Sequence, residues 1–214
     1  IDPHARGDVP EFFALCLAPI AFFFFHRLLS GVGGRGALTG SVVSLAAIVF
    51  SHALLGLVIA GLLLLYWAWL IAFGVARQRA GWGVLAFLLA AAVIAFYWLP
   101  FLFERQAIKL IVTDEGGHFD FRNHFLSWRE LLAPSRILDM GSTAPRFRYN
   151  LGLMQWLLAL PALVWVVSRL IQKKGGLRLV SLSYFVSTGF VLIMLMLPVT
   201  TPVWEIVPGM AYLQ

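Results

Sequence analysis

Six long apolar runs, separated by short polar breaks, account for most of the chain and predict an all-α integral membrane protein, a six-span helical bundle. The runs cover residues 9–29, 37–51, 53–75, 82–103, 150–171 and 179–197. One long polar interval, 104–149, divides the chain into a four-span part (1–103), a loop (104–149) and a two-span part with a C-terminal segment (150–214).

Local signals refine these spans. Asp8 and Glu11 have capping-box spacing at the start of the first run, Pro10 suits a first helical turn, and Pro19 predicts a kink. The second run is short: its length corresponds to about 22 Å of helix against ~30 Å of hydrocarbon. Gly36, Gly40, Ser44 and Ala47 give it a small-residue stripe, which predicts a helix internal to the bundle. The break at Ser51-His52 makes the second and third runs a hairpin. Tyr97-Trp98-Leu99-Pro100 predicts an aromatic belt followed by a helix stop. Within the loop, Ser127-Trp128-Arg129-Glu130 is a capping box that opens a short helix ended by Pro134. Phe119, Phe121, Phe125, Leu126, Trp128, Leu131 and Leu132 give this stretch an apolar side, expected in the membrane interface or on the bundle mouth. Pro161 predicts a kink in the fifth run. Pro198, Pro202 and Pro208 break the chain after the sixth.

Charge orients the bundle. One alternate set of loops holds Arg27, Arg35, Arg77, Arg79, Arg169, Lys173, Lys174 and Arg178 and no acid. The other holds Asp2, Asp8, Glu11, Glu104, Asp114, Glu115, Asp120, Glu130, Asp139 and Glu205, every acidic residue of the chain. Short, purely basic loops mark the cytoplasmic side, so the long loop and both ends are expected outside a bacterial cytoplasmic membrane. Composition agrees: 61% of residues are hydrophobic and only 12% charged, where a soluble domain is about a quarter charged. The net charge of +6 is therefore a topology signal, and nucleic acid is not an expected partner. Cys16, the single cysteine, sits within the first run and is expected to pack there. The opening Ile1-Asp2-Pro3 is no signal peptide. It reads with Trp204 to Gln214 as the edges of an internal fragment of a longer protein.

Strong catalytic motifs are absent: there is no Walker loop, no dinucleotide-binding glycine pattern, no HExxH and no CxxC. Gly31, Gly33, Gly34 and Gly36 join two membrane helices and read as a turn. The candidate binding residues lie on the acid-bearing side. Arg6 could pair an anionic group, while Asp8 and Glu11 could take hydroxyls or a divalent metal; helix capping explains the same pattern. His52, at the break between two spans, is a titratable group at membrane depth or else a cap. Arg105, beside Glu104, fits a lipid phosphate or a snorkelling ion pair. Arg122-Asn123-His124 beside phenylalanines offers a phosphate donor set, sugar-binding amide and imidazole, and apolar faces; a locally bonded loop would look alike. Arg146 and Arg148, two further outer cations, favour an anionic ligand. Asp114, His118, Asp120 and His124 match no zinc spacing, so no metal site is assigned; no cofactor is certain, and use of a divalent metal stays open.

Four segments carry a resemblance. They are Arg6-Gly7-Asp8-Val9-Pro10-Glu11, Phe50-Ser51-His52, Tyr97-Trp98-Leu99-Pro100 with Phe103-Glu104-Arg105, and Phe121 to Ser127 leading to Leu131-Leu132-Ala133-Pro134. Together they resemble large bacterial membrane proteins labelled as related to 6-pyruvoyl-tetrahydropterin synthase, whose architecture is similar to the GT-C membrane glycosyltransferases. The chain lacks the metal-binding histidine pattern of the soluble synthase. The resemblance implies a sugar donor linked to polyprenyl phosphate, used on the extracytoplasmic side. The acidic catalytic motif of GT-C enzymes lies in their first outer loop. Nothing here matches it, and no catalytic residue is carried over.

Two other classes stay open: a transporter or flippase-like protein, and a non-enzymatic membrane subunit of a larger complex. The spans hold almost no charge in their interiors, which counts against ion-coupled transport. In a Cys16→Ser background, cysteines placed at Arg35 or Lys174 should resist an impermeant thiol reagent in intact cells, and one placed at Asp120 should react. The reverse labelling would invert the assigned topology.

Overall fold

A computed structural model describes residues 9–74, 76–104, 122, 125–132, 153–172 and 176–206. Among them there is no strand. Helices α1 (Val9–Ser30), α2 (Gly34–Ser51), α3 (Ala53–Ala72) and α4 (Ala80–Glu104) come first, with a 3-10 turn at Arg77–Arg79. The short α5 (Trp128–Leu131) is followed by α6 (Leu153–Ile171), α7 (Leu177–Leu195), a 3-10 turn at Pro198–Thr200 and the short α8 (Thr201–Ile206). Six of these helices are long and apolar enough to cross a membrane, and the chain is a multi-pass membrane protein. The molecule forms two compact units, divided between Lys109 and Leu110.

In the first unit α1 ends where Gly31 turns left-handed (φ 84°). The Gly31 N–H donates to Leu28 O at 3.2 Å and the Val32 N–H to Arg27 O at 2.9 Å, the paired closure of a Schellman motif. The chain then reverses: Phe24 and Gly40, equally distant from the turn, touch so closely that a Cβ on Gly40 would overlap the Phe24 ring. Helix α2 packs on α1, α3 and α4, as its small residues predict. Its buried stripe is Ala37, Ser41, Ser44, Leu45 and Ile48; of the expected stripe, Gly36 is exposed. The buried serines need no outside partner. Ser41 Oγ donates to Ala37 O at 2.8 Å and Ser44 Oγ to Gly40 O at 2.6 Å. The helix starts three residues before the predicted run, at Gly34, so its 18 residues rise about 27 Å and come close to spanning the hydrocarbon. The hydrophobic count missed this turn because Arg35 and two glycines form it.

On α3 the buried residues Gly56, Ile59, Leu63, Tyr66 and Leu70 recur at alternating three- and four-residue steps, a narrow packing seam. Against it lie Ala86 and Ala90 of α4 and Ala14, Ala21, Phe25 and Leu28 of α1, which share one core with Leu45 and Ile48. The Phe25 and Phe87 rings meet at a 45° tilt, 5.0 Å between centroids. Trp67 lies across the first turn of α4, its indole N–H donating to Ala80 O at 3.1 Å, and only a glycine at 83 leaves room for its ring.

Two local readings are revised. Cys16 is exposed on α1 and does not pack inside. Pro100 lies within α4, which runs on to Glu104. Pro19 and Pro161 sit inside helices that continue past them, as the predicted runs have it. Proline removes one N–H and crowds one carbonyl, and apolar surroundings stabilise the remaining ladder enough for a membrane helix to continue.

The second unit is thinner. Helices α6 and α7 pair, yet α6 leaves Met154, Leu158, Val164 and Ile171 exposed, a surface suited to lipid or to further protein. The segment 125–132 packs on the C-terminal end of α7: Leu126, Leu131 and Leu197 form a small core with Ile193, Met194 and Met196. The Leu126 N–H donates to Met196 O at 2.8 Å. The Ser127–Glu130 capping box is present in both directions, with Ser127 N–H to Glu130 Oε2 at 2.8 Å and Glu130 N–H to Ser127 Oγ at 3.3 Å.

A Cβ added at Gly56 would meet the Val49 Cα at 2.8 Å, whereas Gly61 faces open space on the same helix. Gly56→Ala should therefore destabilise the first unit by roughly 1–3 kcal/mol, while Gly61→Ala should be neutral or stabilising by up to about 1 kcal/mol. Thermal unfolding of the two variants in one detergent reads the difference.

Candidate functional site

Two places bring described candidate residues together with polar or aromatic neighbours. One is the junction of α2 and α3. His52 is the single non-helical residue between two long helices, with φ −153° and ψ 106°. Its backbone N–H donates to Ile48 O at 3.0 Å and so closes α2. Its Nδ1 accepts the Leu55 N–H at 3.1 Å and so caps α3. This lone pair must be unprotonated to accept, so the ring holds its proton on Nε2 when neutral. Beside this end of α2, the Phe50 ring lies 5.3 Å from Phe96 and 6.3 Å from Tyr97, centroid to centroid. The aromatic belt expected at Tyr97-Trp98 thus meets the α2–α3 turn. Glu11, half-buried in the first turn of α1, belongs to the same end of the antiparallel α1–α2 pair.

The other place is in the second unit. Arg122 Nη2 donates to Glu205 Oε1 at 2.8 Å, with side chains 54% and 47% exposed. Next to this pair, the Phe125 and Trp204 rings meet edge to face at 6.5 Å. The Trp204 indole N–H donates to Leu195 O at 3.0 Å, one of the carbonyls that α7 leaves open at its C-terminus. Trp204 therefore holds α8 against the end of α7, and α8 carries Glu205 to Arg122. A guanidinium steadied by a carboxylate and flanked by aromatic faces can bind an anionic group or a sugar ring.

Of the residues singled out by sequence, Glu11 and His52 are described in the first unit and Arg122 in the second. Arg6, Asp8, Arg105, His124 and Arg148 lie outside the described residues, as do Asp114, His118 and Asp120. Among the described residues no three His, Cys, Asp or Glu side chains gather as metal ligands would. Sequence reasoning missed Glu205, whose only signal was its place as an acid beside Trp204 and Pro202. It also missed the pair of His26 and Tyr66. Here His26 Nδ1 lies 2.7 Å from the Tyr66 hydroxyl, and Tyr66 is 1% exposed. Forty positions separate them, and nothing in a linear pattern links them.

No protein-family model, no curated protein and no solved structure matches the chain.

His52 acts as a two-way cap, so His52→Ala should cost about 1 kcal/mol, and His52→Asn, which can also accept the Leu55 N–H, should recover most of it. Unfolding midpoints would check this; equal loss in both variants would show that the imidazole does something other than capping.

Proposed function

We propose that this chain is the membrane segment of a GT-C-like glycosyltransferase that uses a polyprenyl-phosphate sugar outside the bacterial cytoplasmic membrane. The observation that carries the reading is the Arg122–Glu205 pair flanked by Phe125 and Trp204, built from the stretch that the charge pattern assigns to the extracytoplasmic side. In such an enzyme the donor phosphate leaves from the anomeric carbon while a base takes the acceptor proton. Cations positioned on the departing phosphate stabilise the charge that develops there. Arg122 fits that role: it is half in water and oriented by Glu205. The base is not assigned to this chain.

A transporter or flippase-like reading draws on a different observation, the His26–Tyr66 pair, because a titratable group packed between membrane helices is a functional candidate by default. A non-enzymatic subunit is the third reading. Loss of uptake in a Tyr66→Phe variant of a chain that transfers no sugar would favour the transporter.

Membranes carrying the intact gene product, given a radiolabelled polyprenyl-phosphate sugar, should transfer the label. Arg122→Ala should lower transfer at least about ten-fold, with Arg122→Lys intermediate. Stability should change by no more than about 1 kcal/mol, as expected for an exposed ion pair. Equal transfer by wild type and Arg122→Ala would remove Arg122 from the site. No transfer from any such donor would remove the glycosyltransferase reading.

A further inference from the structure

The first unit carries a second charged feature at its opposite end, where the α1–α2 turn meets the 3-10 turn before α4. The Arg79 guanidinium lies flat on Gly31: a Cβ there would be 2.6 Å from both its Cζ and its Nε. The Arg27 guanidinium lies on Gly33, with Nε and Nη2 each 3.2 Å from the corresponding position. Gly31 and Gly33 are two residues apart, so their Cα atoms are within about 7 Å, and two cations rest on one short turn. Arg27 is half-buried and also stands over the Phe23 ring at 5.5 Å. Arg77, whose Nε donates to Ile71 O at 3.3 Å, and Arg35 are exposed nearby in the chain.

Two guanidiniums held together repel each other unless a counter-charge is supplied. Among the described residues no carboxylate pairs with Arg27 or Arg79. The sequence between Glu11 and Glu104 contains no acid at all. Glu11 lies sixteen residues before Arg27 on the same helix, about 24 Å away along its axis. Among the described residues, then, the unit supplies no counter-charge to these two arginines, and Arg79 is exposed to a ligand from outside. The turn joins the ends of two helices long and apolar enough to cross a membrane, where lipid headgroups would lie, and the exposed apolar side chains of Phe23, Val32, Phe73 and Trp82 lie on the same helix ends and turns.

We propose that Arg27 and Arg79, seated on the Gly31–Gly34 turn, form a binding site for the phosphate of an anionic phospholipid. Gly31 is part of the site because any side chain there would displace the Arg79 guanidinium. The proposal is independent of the sugar-transfer reading, which concerns Arg122 in the other unit.

The test uses the purified full chain in a neutral detergent, titrated with phosphatidylglycerol, phosphatidylcholine or inorganic phosphate, with bound lipid counted by native mass spectrometry and unfolding temperature followed in parallel. Phosphatidylglycerol should bind and raise the unfolding temperature; the other two should not. Arg27→Gln/Arg79→Gln should weaken phosphatidylglycerol binding at least about ten-fold, and Arg27→Lys/Arg79→Lys should retain part of it. Arg129→Gln, in the other unit, should bind as wild type does. If the double glutamine variant does not fold, Arg79→Gln alone should still lose several-fold. Equal binding of phosphatidylcholine would overturn the proposal, as would a response to inorganic phosphate matching that to the lipid, or undiminished binding by the glutamine variants.

Discussion

Lipid offers no hydrogen bonds, so every polar group carried into the bundle must find its partner inside the protein. The fold depends on that constraint more than on any single apolar contact. The helices satisfy their own interiors; the difficulty lies at their ends and at the few hydroxyls between them. Several are met by a local device. The left-handed Gly31 closes α1, His52 closes α2 and opens α3, and Ser41 and Ser44 bond back into their own helix. Indole N–H groups of Trp67, Trp98 and Trp204 donate to carbonyls at Ala80, Ala91 and Leu195. Because these bonds replace water, the turns between spans can be very short, and short turns force neighbouring helices into antiparallel contact.

Close contact then becomes the second requirement. Van der Waals packing, not exclusion of water, holds membrane helices together, and it falls off within an ångström of optimal separation. The first unit meets this with small residues where helices cross: Gly40 under Phe24, Gly56 against the Val49 backbone, Gly83 under Trp67, and Ala86 and Ala90 in the shared core. Among its described residues the second unit shows no such set. Its two long helices bury little between them and leave apolar faces open. Order there comes instead from the segment 125–132, which clips onto the end of α7 through Leu126, Leu131 and Leu197.

The two charged features follow the same division. The Arg122–Glu205 pair depends on α8 being pinned by Trp204, so its geometry is a product of packing at the end of α7. The Arg27 and Arg79 pair depends on backbone left bare by glycine, so its geometry is a product of chain reversal. One brings opposite charges together where ligands from water can reach. The other seats two like charges on one short turn.

The number and order of spans, the turn at Gly31–Gly34, the internal place of α2 and the Ser127–Glu130 cap were all legible in the amino-acid order, because each rests on interactions within a few residues or on a periodicity of apolar positions. The start of α2 at Gly34 and the passage of α4 through Pro100 were not, since local propensity counts glycine and proline as breaks while packing and a dry surround hold the helix together. His52 could be singled out by its position, but its role as a cap needed the backbone angles that only the folded hairpin provides. Glu205 beside Arg122, Tyr66 against His26 and Arg79 on Gly31 were decided by tertiary structure alone. Each joins residues from different elements, and no local pattern encodes which side chain a distant helix will present across the gap.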